Sequence, residues 1–263
     1  MINLALQKWR AKEPSLGTWS NLPDIHMAEM LCRQGADWIC FDLQHGLMDY
    51  SDLTRLLPAI TGVPVTPLVR VAANQPDQIG KALDAGAQGV IVPMVNNAAD
   101  AKRAVDACRY PPQGTRSCGP MRDAMLEGMG YLATANEQVA CLVMIETEEG
   151  LRNLEEIAAV EGVDGLFVGP MDLCYGLGIA PGSFTDPSFT AAIGRILEAC
   201  KTNGLAAGIF GLSGEMAANS LKQGFDFASI GTDMSFIRAG VAQAMTAAKG
   251  QNKEDAPAVR GGY

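Results

Sequence analysis

No stretch of the sequence reaches the roughly 18 uncharged apolar residues a membrane-spanning helix requires, and the opening MINLALQKWR lacks the apolar core of a secretory leader. Both absences point to a cytoplasmic protein with no membrane partner. There is no Lys- and Arg-rich cluster: 29 acidic against 20 basic side chains leave a net charge of −9, which excludes a surface built to neutralise nucleic-acid phosphates. The seven cysteines form no C-x-x-C pair and lie scattered, mostly in apolar runs, so neither a thiolate zinc site nor a disulfide framework is expected. Only Cys118 and Cys174 fall in predicted loops, where a thiol has a chance of being reactive. No G-x-G-x-x-G follows the first predicted strand, which removes the dinucleotide-binding fingerprint. Finally, no lysine ends a strand. Lys8, Lys12, Lys81, Lys102, Lys201, Lys222, Lys249 and Lys253 fall on predicted helices, near their ends or in terminal segments, so a Schiff-base nucleophile has no candidate.

What the chain does have is a weak internal repeat. A glycine and an acidic or amide turn precede a β-branched or aromatic run four times: Gly35-Ala36-Asp37 before WICFD, Gly86-Ala87-Gln88 before GVIVP, Gly162-Val163-Asp164 before GLFVGP and Gly224-Phe225-Asp226 before FASIGTD. Each glycine stands where a helix C-cap belongs. Four further apolar runs lie between them: SLGTWS (15–20), VTPLVR (65–70), ACLVMIE (140–146) and LAAGIF (205–210). The intervening segments carry helical periodicity. Eight alternating strand and helix units over 263 residues predict a parallel sheet closed into a single (β/α)8 barrel over residues 1–263, with an open doubly wound sheet as the alternative. The polar end, residues 250–263, is expected to be frayed or packed on a neighbouring subunit. The long connection from Val95 to Val139, with PPQGTRSCGPMRDAM, is expected over the barrel mouth.

Catalytic groups of such barrels sit at the C-terminal ends of strands. Read that way, the second strand delivers Asp42, Gln44 and His45, the third Arg70, the fifth Glu146, and the sixth Gly169, Pro170 and Asp172; Trp19 comes from the first. Two carboxylates one strand spacing apart, Glu146 and Asp172, repel unless a cation sits between them or one takes up a proton. Oxygen-only ligation suits Mg2+, Mn2+ or Co2+; the alternative for Asp172 is a helix cap. His45, in the tight DLQHG turn, has the position and titration range of a general base, whereas His26 reads as structural. Asp42 is placed to fix the tautomer of His45. Arg70 faces this group as an enolate stabiliser or carboxylate clamp, or as a structural partner of an acid.

The motifs FDLQHG, LVR, GAQGVIVPMV, PPQGTRSCGP, MIET and VGPMDL together resemble the HpcH/HpaI aldolase family, class II pyruvate aldolases related to the citrate lyase β subunit, over roughly residues 14–245. The resemblance implies His45 as base, Arg70 as transition-state stabiliser and Glu146 and Asp172 as ligands of a divalent metal. It also implies Gly169, Pro170 and Met171 around the substrate carboxylate. An acid matching Asp84 tunes the histidine; Asp84 lies at a helix C-terminus near the bottom of the barrel and would act across a subunit interface in a homo-oligomer, a hexamer by family resemblance. Two positions depart from the pattern: Met144, where close members carry a substrate-touching Gln, and Gln44, where others carry Glu. The expected reaction is reversible cleavage of a 4-hydroxy-2-oxo acid to pyruvate or hydroxypyruvate and an aldehyde, with Arg116 and Ser117 on the aldehyde side. Three rivals remain open: an acyl-CoA thioester lyase, a phosphate-binding barrel isomerase using GIFGLSGE, and a non-catalytic scaffold.

Overall fold

The repeat glycines all take a left-handed φ, from 87° at Gly35 to 112° at Gly224, which ends the preceding helix and turns the chain into a strand. Through residues 2–250, which the computed structural model describes, the chain runs α1 (Leu4–Arg10), β1 (Ser15–Ser20), α2 (Ile25–Cys32), β2 (Trp38–Asp42), α3 (Tyr50–Ala59), β3 (Thr66–Arg70), α4 (Pro76–Asp84), β4 (Gly89–Val92) and α5 (Ala98–Cys108). It continues through α6 (Met121–Glu127), a 3-10 turn (Gly128–Ala133), α7 (Ala135–Gln138), β5 (Ala140–Ile145), α8 (Glu148–Arg152), α9 (Leu154–Ala158), β6 (Gly165–Val168) and α10 (Pro170–Gly176). The last elements are α11 (Pro187–Asn203), β7 (Ala206–Ile209), α12 (Gly214–Gln223), β8 (Phe227–Thr232) and α13 (Asp233–Ala248). All eight strands pair in parallel, and β8 pairs back onto β1, so the sheet closes as a (β/α)8 barrel and the open alternative is excluded. The expectation about the C-terminal end falls on residues 251–263, outside the described residues.

Two buried clusters follow from the closure. One fills the space between sheet and helices. The other fills the barrel itself, where Phe227 is packed by Trp9 at 4.2 Å, Phe167 at 5.8 Å and Trp38 at 5.9 Å between ring centroids. Rings of this size fit because glycines stand opposite them: a Cβ at Gly17 would lie 2.0 Å from the Trp38 ring, and one at Gly208 2.2 Å from Phe227.

The acid of the three Asp-bearing repeats staples strands together at the bottom of the barrel. Asp37, Asp164 and Asp226 accept the N–H of Leu16, Cys141 and Ala207, each at 2.8 Å, on the preceding strand. Helix α1 lies across that end and reaches every copy: Lys8 meets Asp37 at 2.6 Å, Arg10 meets Asp164 at 3.4 Å, Lys12 meets Asp226 at 3.6 Å, and Asn3 donates to the Gln88 carbonyl at 2.8 Å.

The connection from Val95 to Val139 departs from expectation. Its first part is α5, an ordinary barrel helix that returns the chain to the bottom, so the PPQGTRSCGPMRDAM insertion follows a helix rather than a strand and lies away from the mouth. Arg109, at its start, donates to the Val139 and Gly162 carbonyls and to Asp164.

Candidate active site

Asp42 ends β2 directly opposite Arg70 on β3. Its buried carboxylate accepts five hydrogen bonds: Arg70 Nε at 2.9 Å and Arg70 Nη2, the Trp19 indole N–H at 3.1 Å, and the backbone N–H groups of Gln44 at 3.0 Å and His45 at 3.2 Å. The guanidinium also lies 5.1 Å over the Trp19 ring. Burial pushes the Asp42 carboxyl up, but the bonds and charge of Arg70, with the Trp19 and His45 N–H groups, bring it below its ordinary value. Burial likewise disfavours the Arg70 cation and Asp42 more than restores it. The pair is a fixed ion pair, with the cation exposed enough at one edge to line a cleft.

This arrangement bears on two expectations. Asp42 accepts the backbone N–H of His45, so the same carboxylate that orients Arg70 also shapes the DLQHG turn. Trp19 is buried under Arg70, outside the cleft lining, and supports the guanidinium from beneath.

Glu146 follows the last residue of β5 and is buried. Its Oε1 accepts the Met94 N–H at 2.7 Å, which is aimed by a left-handed backbone at Met94, φ 57°, a costly conformation for a residue with a side chain. Burial raises the Glu146 carboxyl; the Met94 N–H opposes this, the Asp172 charge adds to it, and Arg70 offsets part. Asp172 sits in the first turn of α10, whose N-cap Gly169 has no side-chain cap bond, so the helix-cap alternative for Asp172 does not hold. Gly169 is needed for space: a Cβ there would lie 2.8 Å from Glu146 Oε2 and 3.0 Å from the Met144 methyl.

Arg70, Met144, the turn 169–172 and Phe210 line one cleft at the C-terminal end of the barrel. Pro170 lacks an N–H, so Gly169 and Met171 are the residues of the expected trio that can donate to an anion. His45 stands exposed on the neighbouring turn, and Gln44 beside it has a buried Oε1 with no hydrogen-bond partner. Phe210, the residue after the last of β7, joins the lining, and its edge meets Trp19 at 4.9 Å. The facing carboxylates form an oxygen donor set that suits a hard divalent cation, whose charge relieves their repulsion. Among the described residues no group of three or more His, Cys, Asp or Glu gathers for a metal. A cation here would take two protein carboxylates and complete its shell with substrate and water oxygens.

Asp84, Arg116 and Ser117 are not in this cleft. Asp84 ends α4, at the opposite end of the barrel, and pairs at 2.7 Å with Arg116, which is buried beneath the Tyr110 ring. Ser117 is exposed beside it. The aldehyde-side role expected of Arg116 and Ser117 is therefore excluded within one subunit. Of the two loop thiols, Cys174 is buried in α10 and Cys118 is exposed.

Comparison with known proteins adds the chemistry. Residues 15–239 match the model of the HpcH/HpaI aldolase/citrate lyase family. The chain is 40% identical over 242 residues to a hydroxypyruvate/pyruvate aldolase of Rhizorhabdus wittichii, covering 92% of this chain and 96% of that one. It is 38% identical over 241 residues to a 4-hydroxy-2-oxo-heptane-1,7-dioate aldolase of Escherichia coli, covering 90% and 91%. A solved HpcH/HpaI aldolase/citrate lyase family protein of Burkholderia cenocepacia superposes with a TM-score of 0.88 at 37% identity, over 94% of this chain and 99% of the other.

Proposed function

Because the chain belongs to the HpcH/HpaI aldolase/citrate lyase family, we propose that it is a class II aldolase, a carbon–carbon lyase that reversibly cleaves 4-hydroxy-2-oxo acids to pyruvate or a close analogue and an aldehyde. The observation that carries the reading is the buried Glu146, held by the Met94 N–H and facing both Asp172 and Arg70. Glu146 and Asp172 would hold a divalent ion, Mg2+, Mn2+ or Co2+, which when bound supplies Lewis acidity to the 2-oxo acid. The N–H groups of Gly169 and Met171 orient the substrate carboxylate. Arg70, fixed by Asp42 and Trp19, stabilises the enolate charge that develops as the C3–C4 bond breaks, and needs no reorganisation to do so. His45 accepts the C4 hydroxyl proton in cleavage and returns it in synthesis.

The functional protein is read as a homo-oligomer, a hexamer as family members are. Supporting this, α13 carries Ile237, Val241 and Met245 on one face at 42%, 58% and 51% exposure, too apolar a stripe to leave in water. A neighbour would also give the Asp84–Arg116 pair a second site to face. Among the described residues no helix is long and apolar enough to cross a membrane, and the unpaired thiols suit the reducing cytoplasm. The test is pyruvate release from 4-hydroxy-2-oxo acids before and after EDTA. Activity should disappear and return with Mg2+, Mn2+ or Co2+; full activity in metal-free protein would refute the mechanism.

A further inference from the structure

Met144 lies two residues before Glu146 on the same run, so both side chains point to the barrel interior. Their ends meet the same face of Gly169, where a Cβ would touch Glu146 Oε2 at 2.8 Å and the Met144 methyl at 3.0 Å. A thioether therefore stands beside the carboxylate that receives the substrate. It has no hydrogen to donate and accepts weakly. Across the cleft the wall is Phe210, kept in place by its edge contact with Trp19. The polar groups of the cleft are already committed: Arg70 to Asp42 and to enolate charge, Glu146 and Asp172 to the cation, the N–H groups of Gly169 and Met171 to the substrate carboxylate. The carbon next to the keto group meets the apolar walls that remain.

We propose that Met144, with Phe210 opposite, selects the nucleophile of the reaction: this chain enolises 2-oxo acids whose C3 bears hydrogen or alkyl groups, pyruvate and 2-oxobutanoate, in preference to 3-hydroxypyruvate. The inference rests on the aldolase reading above. A C3 hydroxyl placed against Met144 and Phe210 leaves water without gaining a partner from either, and an apolar wall rejects an added hydroxyl by about tenfold to a hundredfold.

The experiment is C3 proton exchange in D2O, followed by NMR, with the Mg2+-loaded protein and pyruvate or 3-hydroxypyruvate, each read as kcat/KM. The wild type should favour pyruvate by about tenfold or more. Met144→Gln, close to Met in size but with an amide end, should move the ratio toward 3-hydroxypyruvate by about tenfold, while Met144→Leu, equally apolar, should keep it. Equal rates in the wild type, an unchanged ratio in Met144→Gln, or as large a shift in Met144→Leu would each overturn the selectivity. Absence of exchange with either acid would instead sink the aldolase reading on which it stands.

Discussion

The side chain that organises the site is Asp42. A carboxylate so buried is tolerated because five donors surround it, two of them from one guanidinium. Asp123, buried on α6, lies in the opposite situation: burial raises it to about 6, only partly relieved by the charge of Arg116 and a hydrogen bond with Tyr131. The sign follows from linkage. The folded state holds the Asp123 proton up to about pH 6 while the unfolded chain releases it near the ordinary value of 3.8, so stability is lost as pH rises between these values and stays lower above them. At about 1.36 kcal/mol per unit, the ionised group costs up to about 3 kcal/mol at pH 8. Asp123→Asn should therefore raise the melting temperature by several degrees at pH 8 and change it little at pH 4. Equal shifts at both pH values in thermal melts followed by circular dichroism would show that the cost is not electrostatic.

Among the elements, α1 shows how magnitudes decide which contact matters. Two of its cations and Lys12 just beyond it meet acids of the barrel floor, yet Lys8, Arg10 and Lys12 are 39%, 52% and 51% exposed, and such pairs contribute about 0–1 kcal/mol each. Trp9 is buried, stacks on Phe227 and donates its indole N–H to Ser15 Oγ at 2.8 Å. Losing it would remove about 3–5 kcal/mol through the cavity left behind. In denaturant unfolding, Trp9→Ala should therefore lower the midpoint far more than the pair Lys8→Gln and Lys12→Gln, whose small effect should fade in high salt. The reverse order would mean that the floor is held by charge.

For the whole molecule, the proposed contact with a second copy rests on α13. Of its residues, Asp233 is buried, and there its carboxylate accepts Ser20 Oγ at 3.2 Å and the N–H groups of Asn21 and Leu22, each at 2.9 Å, latching β8 to the segment after β1. Beyond that latch the helix presents its apolar stripe to solvent, which a second copy would cover. Replacing both Val241 and Met245 with Glu should lower the mass seen by light scattering while leaving far-ultraviolet dichroism native; an unchanged mass would show that this stripe holds no second copy.

The order of strands and helices, the closure into a barrel, and the rim residues Arg70, Glu146 and Asp172 were legible in the sequence, because strand and helix periods are local and a strand end fixes the rim a residue reaches. The acid of the Gly-x-Asp repeat was visible as a pattern, but its task as a staple between strands was not. Sequence order could not decide which groups meet across the barrel: Asp42 binding Arg70 and the turn backbone, Trp19 lying beneath the guanidinium, and Phe210 and Met144 closing the cleft all depend on strand register. Nor could it place Arg116, since a segment rich in functional residue types looks the same whether it follows a strand or a helix, and only the return of the chain along α5 carried that residue to the floor.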